Sequence, residues 1–338
     1  MRHRDRGGTR TPLALAAALL LATAVGAPAA GSVVAQAPVV FATFAADAEQ
    51  LGHTRILTES IRTFAGGLRG APVWVLAPRA LLEARPDLVA GLAALKAEVR
   101  PSEAPAEALV FPLSRKVFAA AQAESAAAGR GAVLVWMDED TVVLREPRDF
   151  RLPPGISLAW RPVMHQRIGS LYDEPVDAFW SRVYERLEVP ESAVFPVIAP
   201  ADSSKLRAYF NAGLLVARPE RGILRRWARA FPVLYRDTML VRMCRQDGYK
   251  ALFLHQAALA GAILGDVKRG EMRELPPQYN FPLFFREMYG ARREFDSIAE
   301  VVTLRYDVYF QNPAPDWSRR LTGPPETVAW LAERLGKE

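Results

Sequence analysis

The sequence has almost no cysteine. Cys244 is the only one in 338 residues, so no intrachain disulfide can form and the fold must be held by its core. It sits among Met239, Leu240, Val241 and Met243, which reads as packing rather than chemistry. Histidine is scarce as well. There are four, and His53, His165 and His255 do not stand at zinc-site spacing. The chain has no Gly-x-Gly-x-x-Gly and no Walker-type phosphate loop, and Ser203-Ser204 lacks the setting of a nucleophile elbow. Beyond the N-terminal segment no apolar run approaches the roughly 20 residues of a membrane span. Charge is close to balanced. Lys and Arg number 43 against 37 Asp and Glu, a net +6, of which +3 belongs to residues 1–10. That excess is too small to point to a nucleic-acid partner.

What is present begins with a leader. Arg2, Arg4, Arg6 and Arg10 precede the apolar run Leu13 to Val25, and Gly26-Ala27-Pro28-Ala29-Ala30 follows. A basic start, an apolar middle and a small-residue end make a secretory signal, cut near Ala29 or Ala30. Ala35-Gln36-Ala37 is a poorer site because Pro38 would follow the cut. The alternative is an uncleaved anchor that keeps the protein at a membrane. The expected location is therefore secreted or periplasmic, or membrane-anchored with an extracytoplasmic domain. Roughly 300 residues remain, enough for a substantial core, and they read as a single domain over 38–330.

Val39 to Ala45, Val73 to Ala77 and Ala132 to Met137 are short apolar runs rich in strand formers, with Ala108 to Phe111 a weaker one. Helical spacing lies between them, at Ile56 to Ala65, Pro78 to Val99 and Arg115 to Ala127. Strand and helix alternate, which predicts an α/β fold with a central, mostly parallel sheet flanked by helices. Prolines then break the pattern up to Pro200. Trp180 to Leu187 reads as a helix, Tyr209 to Ala217 contains a strand, and Ile223 to Phe231 and Leu254 to Leu264 read as helices.

Asp138-Glu139-Asp140 stands directly after the Ala132 to Met137 strand. Ligands of open α/β sheets bind outside the carboxyl ends of the strands. In an extended chain Asp138 and Asp140 point to one side, a hard oxygen pair suited to Mg²⁺ or Mn²⁺. The alternative reading is a solvated acidic turn.

The surroundings carry a resemblance. Val135-Trp136-Met137-Asp138-Glu139-Asp140-Thr141-Val142-Val143 resembles the Asp-x-Asp segment of GT-A-fold nucleotide-diphospho-sugar glycosyltransferases, in particular family eight, the glycogenin and galactosyltransferase-like group. Tyr209-Phe210-Asn211-Ala212-Gly213-Leu214-Leu215-Val216 is similar to that family's Phe-Asn-x-Gly block. His255-Gln256-Ala257-Ala258-Leu259 and Leu275 to Phe281 match two further blocks more loosely. The resemblance implies transfer of a hexose from a nucleotide-sugar donor to a glycan or other hydroxyl acceptor, with retention of configuration. It implies that Asp138 and Asp140 hold Mn²⁺ or Mg²⁺ and the donor. Asn211 and Gly213 would line the sugar pocket, and Gln256, with Asn211, would stand near the reacting carbon. Thr43 and Phe44 would face the base, and Arg115 and Lys116 would reach phosphate or donor hydroxyls.

Two departures matter. The family's Asp-Gln-Asp is here His255-Gln256-Ala257, and His255 on an apolar helix reads as structural. Where the family closes its metal site with a histidine, this chain has Arg305 in Leu304-Arg305-Tyr306. Arginine stays protonated and cannot ligate a metal, but it can pair with a diphosphate. Arg305 is thus expected to supplement or replace the metal's charge. The alternative is a catalytically inactive, exported glycan-binding or structural protein on the same fold.

Overall fold

The computed structural model describes residues 38–283, 297–306 and 316–336. The leader read over residues 1–30 lies outside them. The first half runs β1 (Val39–Phe44), α1 (Ala48–Phe64), β2 (Val73–Ala77), α2 (Arg79–Ala84), α3 (Pro86–Ala94), β3 (Ala97–Pro101), α4 (Ser114–Ala127) and β4 (Val133–Met137). There follow β5 (Thr141–Val143), β6 (Leu158–Pro162), α5 (Ala178–Arg186), β7 (Pro196–Ile198), β8 (Lys205–Arg207) and β9 (Phe210–Ala217). The chain continues with α6 (Ile223–Tyr235), α7 (Thr238–Gln246), α8 (Gly248–Leu264), β10 (Met272–Glu274), β11 (Phe281–Pro282), β12 (Thr303–Arg305) and α9 (Pro325–Leu335). Among the described residues no helix is long and apolar enough to cross a membrane.

Seven strands form the main sheet in the order β10-β6-β9-β4-β1-β2-β3. All neighbours are parallel except β9, which runs antiparallel to both β4 and β6. The α/β class and the mostly parallel sheet agree with the sequence pattern. Every residue of β1, β2 and β4 is buried, because both faces of the sheet are covered. Alternation sorts them: Val40, Ala42, Phe44, Leu134 and Trp136 pack on one side, and Val39, Phe41, Val133, Val135 and Met137 on the other. Each such large side chain contributes about 1.5–3 kcal/mol by leaving water.

The third strand differs from expectation. Ala106–Val110 is a short 3-10 turn rather than a strand: Ala108 is buried and Phe111 packs against the core, while Val110 is 77% exposed. The strand beside β2 is Ala97–Pro101, which sequence periodicity had merged into the Pro78 to Val99 helix. Pro86 at the first turn of α3 splits that helix, and Lys96, at φ 58°, turns the chain into β3. Two other helices begin earlier than apolar spacing suggests, because aspartates cap them. Asp47 accepts from Gln50 N at 2.9 Å at the start of α1, and Asp247 accepts from Tyr249 N at 2.9 Å at the start of α8.

Candidate functional site

The reversal of β9 builds the site. β9 lies antiparallel to β4 with Met137 opposite Leu214, and Asp138 N donates to Gly213 O at 2.9 Å. Residues at the start of β9 therefore stand beside the acidic turn that ends β4. On its other edge β9 changes register against β6 between Trp160 and Pro162. The slip releases backbone from the ladder, and Gln256 on α8 recovers one group: its Oε1 accepts from Ala212 N at 3.0 Å. Asn211 Oδ1 accepts from Gly213 N at 2.8 Å. A Cβ on Gly213 would fall 2.7 Å from Asp138 Oδ2, 2.7 Å from Arg305 Nη1 and 3.0 Å from Asn211 Oδ1. Only glycine allows those three groups to close around the strand.

A second, three-stranded sheet brings in Arg305. It has the order β11-β12-β5, with Arg305 opposite Thr141 and Tyr306 N donating to Asp140 O at 3.1 Å. Arg305 Nη2 lies 2.7 Å from Asp140 Oδ2 and 3.5 Å from Asp138 Oδ2. From α4, Lys116 Nζ lies 2.7 Å from Asp138 Oδ1. Two cations thus answer two carboxylates in a nearly buried cluster. Burial alone would raise the Asp138 carboxyl, but Lys116 and Arg305 more than offset it and hold it below the usual carboxylate range. Burial and the Asp138 charge push the Glu139 carboxyl up to about 7. Lys116 and Arg305 also favour the charged form of Glu139, but less strongly.

A cavity of about 310 Å³ opens on this cluster. Lys116, Asp138, Asn211, Gly213, Gln256 and Arg305 all line it. The structure thus gathers six sequence-chosen residues from five separate segments. Asp140 is not in the lining, being 5% exposed and bonded to Arg305. Thr43 and Phe44 are not in it either. Phe44 follows Val40 and Ala42 into the core face, and Thr43 is buried beneath the sheet end with its Oγ1 unpaired among the described residues. Arg115 also lies off the cavity, one position round the helix from Lys116. His255 is 2% exposed, with Nδ1 2.9 Å from Leu252 O, and burial followed by the Lys116 charge pushes its pKa down to about 3. It is a neutral packing group, as its apolar helix suggested, although it also reaches the cavity wall.

Sequence reasoning missed the polar residues His165, Arg167 and Asn280, which also line the cavity. His165 and Arg167 sit in the proline-broken stretch, where no periodicity marks a position. Asn280 falls within the loosely matching block Leu275 to Phe281, to which the resemblance assigns no role.

The side chains present do not fit the divalent ion expected here. Only one of the two carboxylates reaches the cavity, and each is already bonded to a cation of the chain. An ion placed there would meet Lys116 and Arg305 at close range. Among the described residues, no group of three His, Cys, Asp or Glu side chains is gathered to hold a metal.

Residues 42–265 match the family described as the Rhodobacterales glycosyltransferase domain. No curated protein matches the chain. Among solved structures, galactosyltransferase LgtC in complex with donor and acceptor sugar analogues is similar at 17% identity and a TM-score of 0.48, over 88% of this chain and 93% of that one. Mouse xyloside xylosyltransferase 1 in its apo form is similar at 14% identity and 0.44, over 80% and 97%. The apo bifunctional glycosyltransferase WbbM gives 14% and 0.46, over 90% and 50%.

Proposed function

Because the chain belongs to the Rhodobacterales glycosyltransferase domain family, we propose that it moves a hexose from a nucleotide-diphosphate sugar to a hydroxyl of a glycan or other acceptor. The observation that carries this reading is the convergence of Lys116, Asp138, Asn211, Gly213, Gln256 and Arg305 on one cavity at the carboxyl end of β4.

In the reaction, the bond from the sugar's anomeric carbon to the diphosphate oxygen breaks. A bond to the acceptor oxygen forms, and the acceptor loses its proton. Negative charge grows on the leaving diphosphate, and fixed positive groups aimed at it lower the barrier. Lys116 and Arg305 supply those groups. Asn211 and Gln256 position the start of β9 against the sugar. Retention of configuration belongs to the proposal through the Asp-x-Asp and Phe-Asn-x-Gly resemblance. With its leader removed, the domain acts in a secreted or periplasmic setting; with the leader kept as an anchor, it acts at a membrane.

A second reading is favoured by one observation. Asp138 and Asp140 are already neutralised inside the protein, as they would be in a catalytically inactive, glycan-binding relative. Incubation with a panel of UDP- and GDP-hexoses and simple glycoside acceptors decides between them. The enzyme reading expects release of the nucleoside diphosphate and a glycoside whose anomer, by NMR, matches the donor. Glycan binding with no nucleotide turnover favours the second reading.

A further inference from the structure

Asn280 precedes β11 and is 2% exposed, yet it lines the cavity. Its φ is 56°, in the left-handed region that asparagine tolerates better than most residues. Its backbone N–H donates to Thr303 Oγ1 at 2.7 Å, which fixes the turn to the strand carrying Arg305. The next residues pair in register, Phe281 with Leu304 and Pro282 with Arg305. Asn280 and Arg305 thus reach the same cavity from adjacent strands.

The side chain is the unusual part. Neither Oδ1 nor Nδ2 has a hydrogen-bond partner among the described residues. Buried polar atoms are nearly always paired, and a wholly unpaired buried amide weakens the fold. The turn does not require it, since glycine would serve the same φ without an amide. An amide that the backbone does not need and the fold does not satisfy is accounted for by a ligand.

The chemistry of the amide selects that ligand. It presents one acceptor and one donating group side by side. A phosphate or carboxylate only accepts and would leave Oδ1 unpaired. A cation would use Oδ1 and leave Nδ2 unpaired. Two neighbouring hydroxyls satisfy both atoms, one donating to Oδ1 and one accepting from Nδ2.

We propose that Asn280 is a donor-recognition residue whose amide binds a vicinal diol of the nucleotide sugar. The assignment rests on the glycosyltransferase reading of the cavity. It divides the work between two strands: Arg305 faces the phosphates and Asn280 faces sugar hydroxyls. Two parts of such a donor carry a vicinal diol, the hexose and the ribose.

The test is calorimetric binding of a UDP- and GDP-hexose panel, and of UDP and GDP alone, to the purified protein and to Asn280→Gly. The variant keeps the left-handed turn and removes the amide. We expect at least tenfold weaker binding of the nucleotide sugar, with a melting temperature equal to or above that of the wild type. Weakening of the nucleotide sugar alone assigns the hexose diol, and equal weakening of the bare nucleotide assigns the ribose. Asn280→Asp, which keeps the acceptor and loses the donor, should bind as weakly as the glycine variant. If the wild type binds the donor and Asn280→Gly binds it equally well, the assignment is overturned while the transferase reading stands. A lower melting temperature with unchanged affinity also overturns it, by making Asn280 structural. If no member of the panel binds the wild type, the transferase reading itself fails and takes this assignment with it.

Discussion

Arg305 Nη2 stands 2.7 Å from Asp140 Oδ2, an ion pair that ties β12 to the turn after β4. The pair puts a fixed cation where an acidic turn at a strand end would otherwise invite a mobile one. With Lys116 on Asp138, each of the two aspartates has a cation of the chain beside it.

Mn²⁺ alone should therefore not bind stoichiometrically. Titration followed by the electron paramagnetic resonance of unbound Mn²⁺ should show no uptake by the wild type. Arg305→His removes the cation and adds a ligand beside two carboxylates. That variant should take up one equivalent. Without metal it should be destabilised by about 3–5 kcal/mol, the usual effect of breaking a buried ion pair on one side. One equivalent bound by the wild type would contradict the account.

Gly213→Ala should displace charge rather than unfold the protein. Its methyl would lie 2.7 Å from both Asp138 Oδ2 and Arg305 Nη1, and the flexible arginine end can give way. Donor affinity should fall on the order of tenfold, matching one lost charge-assisted hydrogen bond, while the circular dichroism spectrum stays unchanged. Unaltered affinity would mean that the cluster does not touch the donor.

Trp160 links the core to the site. Its ring is fully buried, and its centroid lies 4.7 Å from that of Phe210 in an edge-to-face pair. Phe210 opens the strand that carries Asn211 and Gly213. Trp160→Ala should cost about 3–5 kcal/mol in denaturant unfolding and weaken donor binding as well. A loss below about 1 kcal/mol would show that the pocket collapses without strain.

His255 gives the fold a pH dependence. Its native pKa, pushed down to about 3, lies below the 6.5 of an exposed imidazole. Between those values the unfolded chain binds a proton that the folded chain does not, so stability falls as pH drops from about 6.5 toward 3. His255→Asn retains a donor for Leu252 O and cannot take up that proton. Melting temperatures from pH 7 down to pH 4 should decline less steeply in the variant than in the wild type. Parallel slopes would place the titrating group elsewhere.

The parts of this molecule legible in its sequence are those that local pattern controls. β2 and β4 are continuous apolar runs because the sheet is covered on both faces, and β1 and β9 are apolar apart from Thr43 in the one and Asn211 and Gly213 in the other. Asp138 follows β4 directly, so strand and site arrive in one segment. Lys116, Gln256 and Arg305 came from resemblance, and the cavity they share depends on the reversal of β9, which no local pattern marks. β3 was hidden because Ala97 to Pro101 is only partly buried and alternates with charge. Thr43 and Phe44 lie off the cavity, and the strand's alternation, rather than its end, decides where Phe44 goes. Asn280 was invisible as chemistry, since an unpaired amide is a fact about its neighbours and not about its own letter.

The central claim is that this cavity binds a nucleotide-diphosphate sugar through cations of the chain itself. Calorimetric titration of the UDP- and GDP-hexose panel in the presence of EDTA tests it most directly, on the wild type and on Lys116→Gln. The account predicts one binding site per chain in EDTA for the wild type, with affinity unchanged by added Mn²⁺. It predicts binding weaker by roughly ten- to a hundredfold in the variant, the range of one hydrogen bond to a charged group. Binding that appears only with Mn²⁺, or that ignores the loss of Lys116, would contradict it.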